Sequence, residues 1–126
     1  MDENKISKII VDSAIEVHRV LGGPGLLESV YEEAMVFELV QRGINIDRQV
    51  NVPVLYKGNT LAAPLRLDLL VDDRVIVECK AVLTYNPIFE AQVLTYLRLT
   101  GKKLGMVINF GNNYVSKGIH RVINNL

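Results

Sequence analysis

Two acidic residues and one lysine stand out because they lie in stretches of sequence that are otherwise apolar. Asp68 is in the run 67–71, and Glu78 and Lys80 are in the run 75–80. Short apolar runs rich in β-branched residues predict buried strands. A carboxylate in a buried strand is costly unless it is paired, hydrogen-bonded or bound to a metal. These three side chains are therefore the first candidates for chemistry.

The turn between the two runs decides whether the three side chains meet. Glu78 and Lys80 share a face because side chains alternate along a strand. A two-residue turn at 72–73 would place Asp68 opposite Val77, on the other face from Glu78. A three-residue turn at 72–74 pairs Asp68 with Glu78 and brings their Cβ atoms to about 4.5–5.5 Å. We expect the odd-length turn.

Two carboxylates at that distance repel each other unless a cation lies between them. Carboxylate oxygens suit hard divalent ions, so the pattern predicts an Mg²⁺ or Mn²⁺ site at Asp68 and Glu78. Lys80 could hold a phosphate or orient a water there. The alternative is structural, with one acid forming only an ion pair with Lys80 or Arg66. The D-x₉-E-x-K spacing alone does not decide between the two.

Three more polar residues lie on predicted elements that would flank this pair. Glu28 begins a helix directly after the Gly22-Gly23-Pro24-Gly25 loop, where the helix dipole also favours an ordinary acid. Gln92 and Tyr96 are four residues apart, and so on one face, in the helix that follows the Lys80 strand. Singly, each has an ordinary explanation as a surface or core-edge residue.

The elements that must position these residues follow from changes in hydrophobic period. Spacings of three and four predict helices at about 4–21, 27–42 and 87–99, the last beginning at Asn86-Pro87. In the second helix we expect the inward residues to be Leu27, Val30, Tyr31, Ala34, Phe37 and Leu39, with Gly43 as its C-cap. Strands are predicted within 44–56, over 61–71 and 75–80, and at 104–109, and Pro53 suggests an edge strand. Residues 114–124 fit either a strand or a helical turn.

This order predicts one α/β domain over residues 1–126, a mixed sheet flanked by helices. The crossover from the third strand through the last helix to the fourth strand should be right-handed. The chain has 126 residues, 49% of them hydrophobic and 22% charged, which excludes disordered and coiled-coil classes. A single cysteine, Cys79, excludes an internal disulfide and a multi-cysteine zinc site. With no apolar run long enough for a membrane span and no signal-type segment, we expect a cytoplasmic protein without a membrane partner.

The charges balance overall but not along the chain. There are 14 basic and 14 acidic residues, with a net charge of −4 over residues 1–50 and +4 over residues 51–126. No acid follows Glu90, whereas five basic residues do: Arg98, Lys102, Lys103, Lys117 and Arg121. The basic C-terminal third could present a basic face to nucleic acid, or it could be only a solvated rim.

Together these residues carry a family resemblance. The segment Gly25–Tyr31 reads G-x-x-E-x-x-Y, and it is followed in order by Arg66-Leu67-Asp68, Glu78-Cys79-Lys80, Gln92-x-x-x-Tyr96 and Ile108-Asn109-Phe110-Gly111. The chain resembles the GxxExxY family of the PD-(D/E)XK nuclease superfamily from about Ile9 to Asn124. It departs from the pattern where no proline precedes Asp68.

The resemblance implies a restriction-endonuclease-like αβββαβ core and roles for several of the matched residues. It implies Asp68 and Glu78 as metal ligands and Lys80 as the catalytic lysine. Glu28 matches an upstream helical acid that would add to the metal site. Gln92 and Tyr96 match an element that would position the substrate strand. A histidine sometimes precedes the acid in this group, which adds His18, although a helix histidine is usually structural.

We therefore expect an Mg²⁺- or Mn²⁺-dependent nuclease that hydrolyses phosphodiester bonds, with DNA as the expected nucleic acid. Two alternatives stay open. One is a module of the same fold that binds nucleic acid without cutting it. The other is a protein-interaction module, either a homodimer or bound to another protein, in which the acids and Lys80 form a buried ion cluster.

Overall fold

A five-stranded sheet with helices on both faces organises the chain, and the computed structural model describes all 126 residues. The helices are α1 (Glu3–Leu21), α2 (Glu28–Gln41) and α3 (Ile88–Thr100), and a short 3₁₀ helix covers Val115–Gly118. The strands are β1 (Ile46–Val52), β2 (Leu55–Tyr56), β3 (Asn59–Thr60), β4 (Leu65–Val71), β5 (Val75–Lys80), β6 (Leu104–Asn109) and β7 (Ile119–Ile123).

The strand order in the main sheet is β1-β4-β5-β6-β7. The first three form an antiparallel meander, β5 and β6 pair in parallel through α3, and β7 closes the other edge antiparallel to β6. Strands β2 and β3 form a separate hairpin. The predicted mixed sheet flanked by helices is confirmed, and the ambiguous C-terminal segment contains both a helical turn and a strand.

Each face of the sheet buries its own apolar cluster. On one face α1 and α2 pack through residues such as Ile10 and Met35 against β4, β5 and β6. On the other face Val93 and Leu97 of α3 pack against residues of the same three strands. Cys79 is fully buried in the first cluster, as expected for a small hydrophobic residue. None of the helices has the length and apolarity to cross a membrane.

The predicted inward face of α2 is wrong in part. Leu27, Val30 and Phe37 have exposed fractions of 74%, 38% and 66%, whereas Tyr31 and Leu39 are fully buried. The broad apolar stripe of α2 contains two faces, and only the narrower one, which also includes Met35, contacts the core. Apolar periodicity located the helix but could not say which face α1 and the sheet would cover.

Two strand boundaries also differ from the prediction. The strand expected over 61–71 begins only at Leu65, because Asn59 and Thr60 are used in the β2–β3 hairpin and the chain then bends. Strand β1 ends at Val52, directly before Pro53, which has no N–H to donate to a ladder. β1 is an edge strand, as the proline suggested.

Candidate active site

The turn between β4 and β5 has the odd length that brings the two acids together. Val71 pairs with Val75 across the three residues 72–74, and the Arg74 N–H donates to the Val71 carbonyl at 3.0 Å. Asp72 and Asp73 have φ angles of 53° and 55°, a left-handed conformation that aspartate tolerates better than most residues. The predicted three-residue turn is confirmed, and its register places Asp68 opposite Glu78.

Asp68 and Glu78 each accept a backbone N–H of the other's strand with one carboxylate oxygen. The Asp68 N–H donates to Glu78 Oε2 at 2.8 Å, and the Cys79 N–H donates to Asp68 Oδ2 at 3.0 Å. The β4–β5 ladder stops one step earlier, at Leu69 and Val77. Carboxylates thus replace the ladder bonds at this point, which orients both acids by a short, directional contact.

The remaining oxygen of each carboxylate is available to a ligand. Asp68 Oδ1 and Glu78 Oε1 make no hydrogen bond. Every side-chain oxygen that is shielded from solvent in this structure has a hydrogen-bond partner. Both oxygens therefore touch solvent. Mg²⁺ and Mn²⁺ are held in proteins by one or two carboxylates with water and substrate oxygens as the other ligands, so this donor set fits such an ion.

Burial raises the pKa of both acids, and the charge of Asp68 adds to the rise for Glu78. Burial, followed by the charge of Asp68, raises the pKa of Glu78 to about 8, although the Asp68 N–H and Lys80 oppose the rise. Burial likewise raises the pKa of Asp68, against the hydrogen bond from the Cys79 N–H. Two carboxyl groups that resist ionisation side by side are typical of sites completed by a cation.

Lys80 is held by an aromatic ring. Its Nζ lies 4.6 Å from the centre of the Phe89 ring, a cation–π contact with the first turn of α3. Neither Asp68 nor Glu78 is within ion-pair distance of a basic side chain. Arg66 instead donates to Asn51 Oδ1 at 3.4 Å. The alternative in which an acid merely pairs with Lys80 or Arg66 is therefore wrong for this structure.

Gln92 and Tyr96 both lie on the side of α3 that faces the site. Gln92 shares with Lys80 and Phe89 an open groove of about 520 Å³, which Ile88, Ala91 and Thr95 complete. Burial raises the pKa of Tyr96, and the charges of Glu78 and Asp68 add to the effect, so its hydroxyl is within electrostatic reach of both acids. Helix α3 thus places one polar residue in the groove and another near the acids.

Glu28 is near the acids but does not join them in one cluster. Its charge is among the causes that raise the pKa of Asp68. Yet no three His, Cys, Asp or Glu side chains lie close enough together to form one metal-binding cluster, so the close donor set is the pair Asp68 and Glu78. The loop before Glu28 is clamped by Tyr31, whose hydroxyl donates to the Gly23 carbonyl at 2.7 Å and accepts from the Leu26 N–H at 3.2 Å.

His18 makes its hydrogen bonds with the loop after β6 and not with the acids. It is 7% exposed, and its Nε2 lies 3.2 Å from the Phe110 carbonyl oxygen and 3.0 Å from that of Asn112. Its ring also stacks against the Phe110 ring. These contacts tie α1 to the loop after β6, which is the structural role usual for a helix histidine.

Three residues support the site although the sequence patterns assign them no role. Phe89 holds Lys80, and an aromatic residue at the start of the helix after the Lys80 strand was the available signal. Glu32, 5% exposed, accepts from Arg48 Nε at 2.8 Å and Gln49 Nε2 at 2.7 Å. Its burial could not be predicted from the sequence, because Glu32 is one of several acids in the same helix and lies four residues from Glu28.

Asn109 is the third. Its side-chain amide accepts from the Val82 N–H and donates to the Val82 carbonyl, both at 3.0 Å, and it is 1% exposed. It also accepts from the Gly111 N–H. A Cβ on Gly111 would lie 2.2 Å from the Val82 carbonyl oxygen, so glycine is required for this close approach. Asn109 therefore fixes the segment that leaves β5 directly after Lys80.

Comparisons with known proteins agree with the mixed α/β fold. A family model described as the PD-(D/E)XK nuclease superfamily matches residues 4–122. Among solved structures, the crystal structure of SSO0001 is similar at a TM-score of 0.50 and 13% identity, covering 96% of this chain and 79% of that one. At that identity the likeness concerns the fold alone. A search of curated proteins finds no match.

Proposed function

The chain belongs to the PD-(D/E)XK nuclease superfamily, and on this premise we propose that it is an Mg²⁺- or Mn²⁺-dependent nuclease acting on DNA. The observation that carries the proposal is the pairing of Asp68 and Glu78. Each acid uses one carboxylate oxygen to hold the other residue's strand and leaves the second oxygen free. Because both free oxygens contact solvent, a cation and the water that completes its coordination can reach them.

Asp68 Oδ1 and Glu78 Oε1 would hold the ion. When bound, an ion of this kind polarises a phosphoryl oxygen and lowers the pKa of a bound water that attacks phosphorus. The two acids keep their orientation without it, because the N–H groups of Asp68 and Cys79 hold the other two oxygens. Glu28, near the N-terminus of α2, would add a more distant carboxylate to the same site.

Lys80, Gln92 and Tyr96 would act on the nucleic acid. The Lys80 ammonium is free of carboxylates, so its positive charge is available to a phosphate and to the charge that develops on it during cleavage. Gln92 lines the same groove as Lys80 and would position the nucleic-acid strand. The basic residues after Glu90 would contact the phosphate backbone, which makes affinity fall as salt rises.

Within the superfamily we place the chain in the GxxExxY group. Gly25, Glu28 and Tyr31 give that group its pattern. The Tyr31 hydroxyl bonds support this placement, because they connect the glycine loop to the turn of α2 that presents Glu28. The G-x-x-E-x-x-Y motif would then fix the residue at which α2 begins.

The decisive experiment is a cleavage assay on single- and double-stranded DNA and RNA, with Mg²⁺, Mn²⁺ or EDTA. We expect cleavage of DNA with either ion and none with EDTA. Lys80→Ala should abolish cleavage, whereas Lys8→Ala, at an exposed position on α1, should not. Metal-independent binding of nucleic acid with no cleavage would contradict the proposal and favour the binding module.

A further inference from the structure

In β1 and in β4, the face of the sheet to which every second side chain points changes at one position along the strand; we call this the exchange of faces. In β4, Leu65 and Leu67 pack on the α3 side, whereas Leu69 and Val71 pack on the side of α1 and α2. These four residues are two apart in sequence and would share one face in a regular strand. The exchange therefore takes place at Asp68.

The neighbouring strand exchanges its faces at the same level. In β1, Ile46 packs on the α1 and α2 side, and Arg48 reaches Glu32 of α2, but Val50 and Val52 pack on the α3 side. The exchange lies at Gln49, whose φ is 54°. The register, in which Arg48 faces Leu69 and Val50 faces Leu67, places Gln49 opposite Asp68.

Gln49 is held in this conformation by its side chain. A left-handed backbone is unfavourable for a residue that has a Cβ, so something must stabilise it. The Gln49 amide donates to Glu32 Oε1 at 2.7 Å, and Arg48 Nε donates to the same oxygen at 2.8 Å. Glu32 is almost fully buried, so its position on α2 is fixed.

The exchange has a direct effect on the acids. Because β4 turns over at Asp68, its ladder with β5 ends at Leu69, and the N–H groups of Asp68 and Cys79 have no ladder partner. The two carboxylates bond to those N–H groups instead. The orientation of both acids therefore depends on the conformation of the strand opposite them.

We propose that Glu32 is a positioning residue of the active site, which orients Asp68 and Glu78 by holding Gln49 in its left-handed conformation. The inference rests on the proposed function, since it assigns Glu32 a task in that site. It does not make Glu32 a metal ligand. It predicts that glycine at position 49, which adopts this conformation without help, makes Glu32 dispensable.

The test compares Glu32→Ala, Gln49→Gly and the double variant. Amide hydrogen exchange in EDTA is measured at Asp68 and Cys79, with Leu70 and Ile76 of the intact ladder as internal references. The Mn²⁺ concentration at the midpoint of the thermal shift is measured in parallel. Glu32→Ala should speed exchange at the two site amides about tenfold relative to the references, and raise the Mn²⁺ midpoint similarly. The double variant should lie within about threefold of the wild type.

Two results would overturn the inference. One is that amide hydrogen exchange at Asp68 and Cys79 changes in Glu32→Ala by the same factor as exchange at the reference amides. The other is that Glu32→Ala speeds exchange and raises the Mn²⁺ midpoint just as much when residue 49 is glycine. If Glu32→Ala does not fold, Glu32→Gln, which keeps the side-chain shape and weakens the contacts by removing the charge, is judged by the same two readouts. Exchange in EDTA needs neither metal nor substrate, so absence of cleavage would count against the proposed function and not against this inference.

Discussion

The Lys80 ammonium lies over the Phe89 ring, 4.6 Å from its centre, and no acidic side chain is within ion-pair distance of it. The lysine is thus kept beside two carboxylates without being neutralised by either. Phe89 itself meets the Tyr85 ring edge-on, and the Tyr85 hydroxyl donates to Glu90 Oε2 at 3.2 Å. Tyr85 therefore helps to hold the Phe89 ring in the position where it contacts Lys80.

Replacing Phe89 should reduce cleavage by releasing Lys80. A cation–π contact is worth about 0.5–2 kcal/mol, so we expect Phe89→Leu to lower kcat about tenfold at saturating Mn²⁺. Phe89→Tyr keeps the ring and should stay within about twofold of the wild-type rate. Steady-state cleavage kinetics on the best substrate measure both. Equal kcat values for Phe89→Leu and wild type would show that the ring does not position the lysine.

The metal-free protein should lose stability as the pH rises. The pKa of Glu78 is 4.5 ordinarily and about 8 in the folded chain, so the folded state binds the extra proton between those values. Its contribution to stability is fully present below pH 4.5 and is lost as the pH rises through about 8. The raised pKa of Asp68 acts in the same direction.

Denaturant unfolding in EDTA at pH 5, 6.5 and 8 measures this effect. We expect the free energy of unfolding to be higher near pH 5 than near pH 8 as far as the pair is concerned. Glu78→Gln does not titrate and should flatten the profile. An unchanged profile in Glu78→Gln would mean that other groups cause the pH dependence.

Metal binding should stabilise the protein through Asp68. An ion present at a hundredfold over its dissociation constant adds about 2.7 kcal/mol. Asp68→Asn removes one charge, so the metal-free variant should be as stable as the wild type or more so, while most of the Mn²⁺ effect disappears. Thermal melts with EDTA and with Mn²⁺ test this expectation.

Asp73→Asn is the matched control for that substitution. Asp73 lies in the same β4–β5 turn, but its side chain is 86% exposed and points to Lys102. It should retain the full Mn²⁺ shift. If Mn²⁺ shifts neither the wild type nor Asp73→Asn, the acids are not a metal site.

Asn109 should matter for stability more than any exposed asparagine. Asn109→Ala leaves the Val82 N–H and carbonyl without their partners, which costs about 1–3 kcal/mol for a buried group. Asn113→Ala, at an exposed position of the same loop, should change stability by less than about 0.5 kcal/mol. Equal melting temperatures for the two variants would show that the Asn109 hydrogen bonds do not hold the segment after β5.

The local features of the site were predictable from the sequence. Acids in apolar strands are rare enough to identify Asp68 and Glu78, and period two places Glu78 and Lys80 on one face. Only an odd-length turn brings the acids together, which predicts the three residues 72–74, and the structure has that turn. Helix α3 followed from the Asn86-Pro87 start and from Gly101, where the chain turns left-handed.

The tertiary structure alone decided which residues from distant parts of the chain support the acids. Glu32, Gln49 and Asp68 meet because α2 packs over the point where β1 and β4 exchange faces, and no local period encodes that point. The same holds for the partner of Lys80, since an ion pair and a cation–π contact are equally compatible with its sequence neighbours. Side-chain period and turn length act over a few residues and can be read directly. Contacts between elements depend on how whole faces pack, and that is settled only when the chain folds.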